Sequence, residues 1–122
     1  MDSDSSGVNP LRPLEEGPTP LSLEQRTHQL REQLRVIYHY FSNKPDVSKR
    51  LGDRVRLLAR QLGSFVSDDA DAAIAAVHLY LQDDYRLDHP LHAAVFTELL
   101  GNSCSMPEAE RIAIVCAALT HD

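Results

Sequence analysis

Residues 108–122 read Glu-Ala-Glu-Arg-Ile-Ala-Ile-Val-Cys-Ala-Ala-Leu-Thr-His-Asp. Beyond Arg111 the run is apolar on nearly every side: Ile112, Ala113, Val115, Cys116, Ala117 and Leu119. A helix with that pattern is expected to lie at the centre of a bundle, with little of it facing water. Ser105 and Glu108 stand at capping-box spacing, and Pro107 suits a first turn. The helix delivers two metal-competent residues, His121 and Asp122, at its exit.

Working back from there, Gly101 is expected to end a helix over about 90–100, with Pro90 in a tolerated first-turn position. Before it lies an acidic turn, Asp83, Asp84 and Asp88, which reads as solvated. Ser67 is expected to cap a third helix, whose first turn gathers Asp68, Asp69 and Asp71 at the positive end of the helix dipole. Val47, Leu51, Val55, Leu58 and Leu62 recur at helical spacing over about 46–62. Gly63 would then take the left-handed position after that helix. Ser22 and Gln25 open a first helix as a capping box, and Leu23, Leu30, Leu34, Ile37 and Phe41 give it a stripe. No strand is needed anywhere. The fold class expected is all-α, about five helices. A disordered tail over 1–20, rich in Pro, Gly and Ser, precedes a helical hairpin over 21–66 and a second unit over 67–122.

Composition bounds the rest. The chain has 122 residues and a net charge of −6. No apolar run approaches a membrane span, and the first residues carry no basic and apolar secretory pattern. Cys104 and Cys116 form neither a zinc motif nor a disulfide framework, which fits a reducing, cytoplasmic setting. Neither has a base placed for nucleophilic catalysis. The charge is uneven. Residues 21–63 hold nine Lys/Arg against four Asp/Glu, whereas residues 64–122 hold two against ten. The plain reading is a basic hairpin docked on an acidic remainder, with no nucleic-acid and no membrane partner.

His89 precedes His121 by 32 residues. Two antiparallel helices with a short link would bring the start of one beside the end of the other, so His89 would approach His121 and Asp122. Imidazoles with a carboxylate suit iron, manganese or zinc. Paired metals activate water for phosphoester hydrolysis.

The stretch Asp84-Tyr85-Arg86-Leu87-Asp88-His89-Pro90-Leu91-His92-Ala93-Ala94-Val95, followed by Ala117-Ala118-Leu119-Thr120-His121-Asp122, resembles the first half of an HD-superfamily metal-dependent phosphohydrolase. It is most similar to the HD-GYP branch, the bacterial cyclic di-GMP phosphodiesterases. The resemblance covers about residues 68–122. It implies His89 as the first metal ligand and His121 with Asp122 as the doublet, Asp122 being the bridging, catalytic carboxylate. It implies a divalent ion as cofactor, iron or manganese before zinc, and a cyclic dinucleotide or other phosphoester as substrate. His92 and Tyr85 are candidates for supporting the ligands from behind, Tyr85 with its hydroxyl on a nearby backbone group. Pro90 stands where the family usually has Ser, and Tyr85 stands where members with a third metal have Glu. The match stops at Asp122, so the ligand set implied is incomplete and this chain is expected to be inactive alone. The other class the residues allow is a non-catalytic helical interaction module, a degenerate remnant that self-associates through an exposed apolar face.

Overall fold

A computed structural model describes residues 21–43 and 48–121. Among these residues five helices run in order: α1 (Leu23–Asn43), α2 (Ser48–Asp68), α3 (Ala70–Tyr80), α4 (Tyr85–Ser103) and α5 (Glu108–Thr120). Among the described residues there is no strand, and no helix is long and apolar enough to cross a membrane. The expected tail over 1–20, the link around Pro45 and Asp122 lie outside the described residues.

α1 starts as its sequence dictates. The Gln25 N–H donates to Ser22 Oγ at 3.1 Å and the Ser22 N–H to Gln25 Oε1 at 2.8 Å, so the capping box is closed both ways. Leu30, Leu34 and Ile37 are buried. Phe41, expected on the same stripe, is exposed. The start of α1 lies beside the end of α2, where Arg26 pairs with Asp68 and covers the Phe65 ring. The two helices are therefore antiparallel.

α2 does not stop at Gly63. It continues to Asp68, and Gly63 has no left-handed backbone. The reason is a balance of magnitudes. Glycine inside a helix costs about 0.5–1 kcal/mol. Continuing the helix buries Phe65 and Val66, side chains worth about 1.5–3 kcal/mol each. With α2 extended through Ser67, the cap of α3 passes to Asp69, whose carboxylate accepts the Ala72 N–H at 3.0 Å.

α4 also begins earlier than expected, at Tyr85. Asp84 is its cap and accepts the Arg86 N–H at 3.1 Å. Pro90 consequently sits inside the helix and not in its first turn. It cannot donate to the Arg86 carbonyl. Its ring is fully buried among the largest core groups, which offsets the missing bond. At the other end α4 passes Gly101 and reaches Ser103. Gly101 is a close-approach glycine: a Cβ there would lie 2.7 Å from Arg111 Cγ. The chain then turns through Ser105, the one non-glycine residue of positive φ among those described (55°). Ser105 therefore caps nothing, and α5 starts at Pro107 without a side-chain cap.

α4 packs against all four other helices, and the core is one continuous cluster drawn from all five. Leu34, Leu58, Leu62, Leu91, Val95, Val115 and Leu119 are at its centre. α5 is not the central helix. It packs chiefly against α2 and α4, burying Val115 and Leu119 and leaving Ala113, Ile114 and Ala117 exposed. All-round apolarity is compatible with burial, but the two helices that touch all four others are α2 and α4, and α5 lies against them from one side. The expected docking of basic on acidic segments is carried by two ion pairs, the buried one of Arg31 with Asp88 of α4 and the more exposed one of Arg26 with Asp68. Arg35 and Arg56 pair instead within their own helices, with Glu32 and Asp53.

Candidate metal centre

His89 lies one turn into α4, on its outer side, and His121 caps α5. Their ring centroids are 6.1 Å apart at an interplanar angle of 61°. The His121 Nδ1–H donates to the Ala118 carbonyl at 2.8 Å. That bond selects the tautomer in which Nε2 is the acceptor nitrogen, the form that coordinates a metal. His89 stacks face to face on Tyr85, with centroids 4.9 Å apart and planes 13° from parallel. Tyr85 is 75% exposed. It was expected to pack with its hydroxyl on the backbone; instead it forms an outer wall for the His89 ring.

His92 makes no ring contact with the pair. Its Nε2–H donates to the Leu81 carbonyl at 3.1 Å, and its ring meets His78 at 5.4 Å. His28 and His39 belong to other surfaces, near Tyr80 and Tyr40. A shallow cleft of about 210 Å³ separates His89 from His92, lined also by Leu81, Gln82, Tyr85 and Asp88. On the other side of Tyr85 a second cleft, about 440 Å³, runs between Phe41, Tyr38, Arg86, Pro90 and Thr120.

The residues that hold this geometry are Asp88, Arg31 and Tyr38. Asp88 was expected in a solvated turn and is 4% exposed. Its two oxygens accept Arg31 Nε at 2.9 Å and Nη2 at 2.8 Å, and Oδ2 also accepts the Asp84 N–H at 2.9 Å. Those hydrogen bonds, with the nearby charges of Asp83 and Asp84, raise the Arg31 guanidinium above its usual pKa. The clamp ties the first turns of α4 to α1, next to His89. Tyr38 Oη donates to the Leu119 carbonyl at 2.6 Å, which ties the end of α5 to α1, next to His121. One helix thus anchors both histidine-bearing ends. Sequence reasoning missed these three residues. The signal was the i, i+7 placement of Arg31 and Tyr38 along α1, which has no meaning until a partner helix is known.

The pair fits a metal in part. A metal–nitrogen bond of about 2.1 Å puts an imidazole centroid roughly 3.2 Å from the ion, so two rings on one ion lie at most roughly 6.4 Å apart. That limit is the linear arrangement; tetrahedral ligands would place the rings roughly 5.2 Å apart, so at 6.1 Å the rings must close by roughly 1 Å to share one ion. Among the described residues no three His, Cys, Asp or Glu side chains converge. Asp122 would have to supply the third donor. Cys116 is no candidate nucleophile: burial pushes its thiol pKa up.

Comparisons with models of protein families, with curated proteins and with solved structures return no match to this chain.

Proposed function

We propose that residues 67–122 carry metal ligands of an HD-type phosphohydrolase, with His89, His121 and Asp122 as the donors. The activity of that class is hydrolysis of a phosphodiester, of the cyclic di-GMP type. The observation that carries the reading is the 6.1 Å approach of His89 and His121, two residues 32 apart in the chain whose spacing and flanks carry the resemblance. The Nδ1–H bond from His121 to Ala118 supports it, because it leaves Nε2 in the coordinating form. A bound divalent ion would supply Lewis acidity toward a phosphoryl oxygen and lower the pKa of water. The chain's own residues have the complementary tasks. His121 is oriented by the Ala118 carbonyl, His89 is held flat by Tyr85, and Arg86 offers a cation beside the larger cleft.

Calorimetric titration of the full chain with manganese and with zinc tests this. Weak binding of one ion is expected. His89→Ala and His121→Ala should each remove most of it, while His92→Ala should change affinity by less than about tenfold, the lower range for groups outside the ligand set. Loss of binding with His92→Ala, and none with His89→Ala, would overturn the assignment.

A second reading, a helical interaction module, has its own observation. Tyr85, Phe96 and Leu100 on the outer side of α4, with Ile114 of α5, are all exposed. Apolar surface of that kind on a soluble domain marks a contact surface. A concentration-dependent sedimentation coefficient, abolished by Phe96→Asp with Leu100→Asp, would favour it. A monomer at all concentrations would count against it.

A further inference from the structure

We propose that the outer face of α2 docks an acidic, amphipathic helix of another protein. This stands independently of the metal reading. α2 exposes Lys49, Arg50, Arg54, Arg56 and Arg60. Among the described residues only Arg56 of these has an ion-pair partner, Asp53. At roughly 100° per residue the cations fall into two rows. Lys49, Arg56 and Arg60 form one; Arg50 and Arg54 form the other. Between the rows lie Asp53 and Leu57, and Leu57 is 50% exposed. In paired helices, charges that flank the apolar line set the choice of partner.

The occupant follows from what lies between the rows. A partner helix bearing leucine-like residues flanked by carboxylates would meet Leu57 with its apolar line and both cation rows with its acids. A nucleic-acid backbone fits less well. It gains nothing from Leu57, and Phe65, the one aromatic residue of α2, is buried and offers no base a stacking surface. A lipid surface would need a broader apolar face than one leucine. The chain's net charge of −6 also opposes long-range capture of an extended polyanion, whereas a short acidic helix sees mainly the local cations.

The test is fluorescence anisotropy of the full chain with a labelled synthetic helix, leucines along one face and glutamates on either side. Binding that disappears at high salt is expected. Arg54→Gln with Arg60→Gln, one from each row, should weaken it about tenfold. Leu57→Ser should weaken it about fivefold. Arg35→Gln on α1 should leave it unchanged. All four positions are exposed, and circular dichroism would verify that each variant keeps its helices. Equal binding of a scrambled peptide of the same composition would overturn the proposal in favour of a plain charge sink. Tighter binding of a short DNA duplex would overturn it in favour of nucleic acid. Absence of peptide binding, or indifference to the three α2 substitutions, would overturn it outright.

Discussion

Asp88 and Glu98 lie ten residues apart on α4, both nearly buried, and each meets one guanidinium. At the start of the helix Asp88 takes Arg31 on both oxygens, from a helix 57 residues earlier. At the other end Glu98 takes Arg111 on one oxygen at 3.1 Å, from the next helix, and the same oxygen accepts Asn102 Nδ2 at 3.2 Å. Arg111 Nη1 also donates to the Met106 carbonyl at 2.9 Å. The first contact is a long-range clamp between the basic and acidic parts of the chain. The second is a local brace on the α4–α5 turn. The same pair of groups therefore does different work at the two ends. The clamp positions the exposed Tyr85 and His89, whereas the brace keeps α5 on its track so that His121 emerges beside them.

If the clamp is the stronger of the two, Asp88→Ala should be the most damaging single change. It leaves the Arg31 guanidinium, 19% exposed, without its counter-charge. Breaking a fully buried pair from one side costs about 3–5 kcal/mol, and the partial exposure of Arg31 places this one near the lower end. Urea unfolding measures it. The matched replacement of both partners, Arg31→Met with Asp88→Leu, should cost far less, because no uncompensated charge remains. A double variant as unstable as Asp88→Ala would show that the carboxylate matters for its bond to the Asp84 N–H and not for the ion pair.

Glu98→Ala should cost less, about 1–3 kcal/mol, since Arg111 gives Glu98 one bond and not two and retains the Met106 carbonyl. A larger loss than with Asp88→Ala would invert the comparison. Gly101→Ala strains the same brace from the backbone side. Its Cβ would lie 2.7 Å from Arg111 Cγ and 3.0 Å from Cδ, so the arginine must swing off Glu98 or α5 must shift. A cost of about 1–3 kcal/mol is expected, the usual range for overpacking. In the double variant Glu98→Ala with Gly101→Ala the costs should add to less than their sum, because both act through Arg111.

Helix number and order were legible because the stripes of α1 to α5 are periodic and punctuated. The ends were less so. Gly63, Pro90 and Gly101 each carried the usual mark of a boundary and each lies within a helix. In every case the deciding term is distant: Phe65 and Val66 reaching the core, Pro90 burying its ring, Gly101 admitting Arg111. The approach of His89 to His121 was legible from their spacing. Arg31 and Asp88 were not, for Asp88 sits among acids whose ordinary place is a solvated turn. Its burial depends on α1 arriving alongside α4, and that is a tertiary fact with no local trace.

The smallest expected effect probes the brace from a third direction. Gly52 and Gly63 are both interior to α2, so alanine at either gains the helix propensity that glycine lacks, about 0.5–1 kcal/mol. At Gly52 the new methyl would have one neighbour, Arg56 Nη1 at 3.8 Å, which is the flexible end of an exposed side chain. The full gain should appear. At Gly63 the methyl would lie 3.5 Å from Glu98 Oε2, with Cδ and Oε1 within 3.9 Å. Nothing clashes, but a methyl group there adds apolar surface against a buried carboxylate already bonded to Arg111 and Asn102. Gly63→Ala should therefore stabilise less than Gly52→Ala, by a few tenths of a kcal/mol. The two melting curves should separate in that order. Removing the carboxylate with Glu98→Gln should bring the two gains together. Equal gains in the parent chain would mean that Glu98 is already shielded on that side, and that α2 takes no part in the brace.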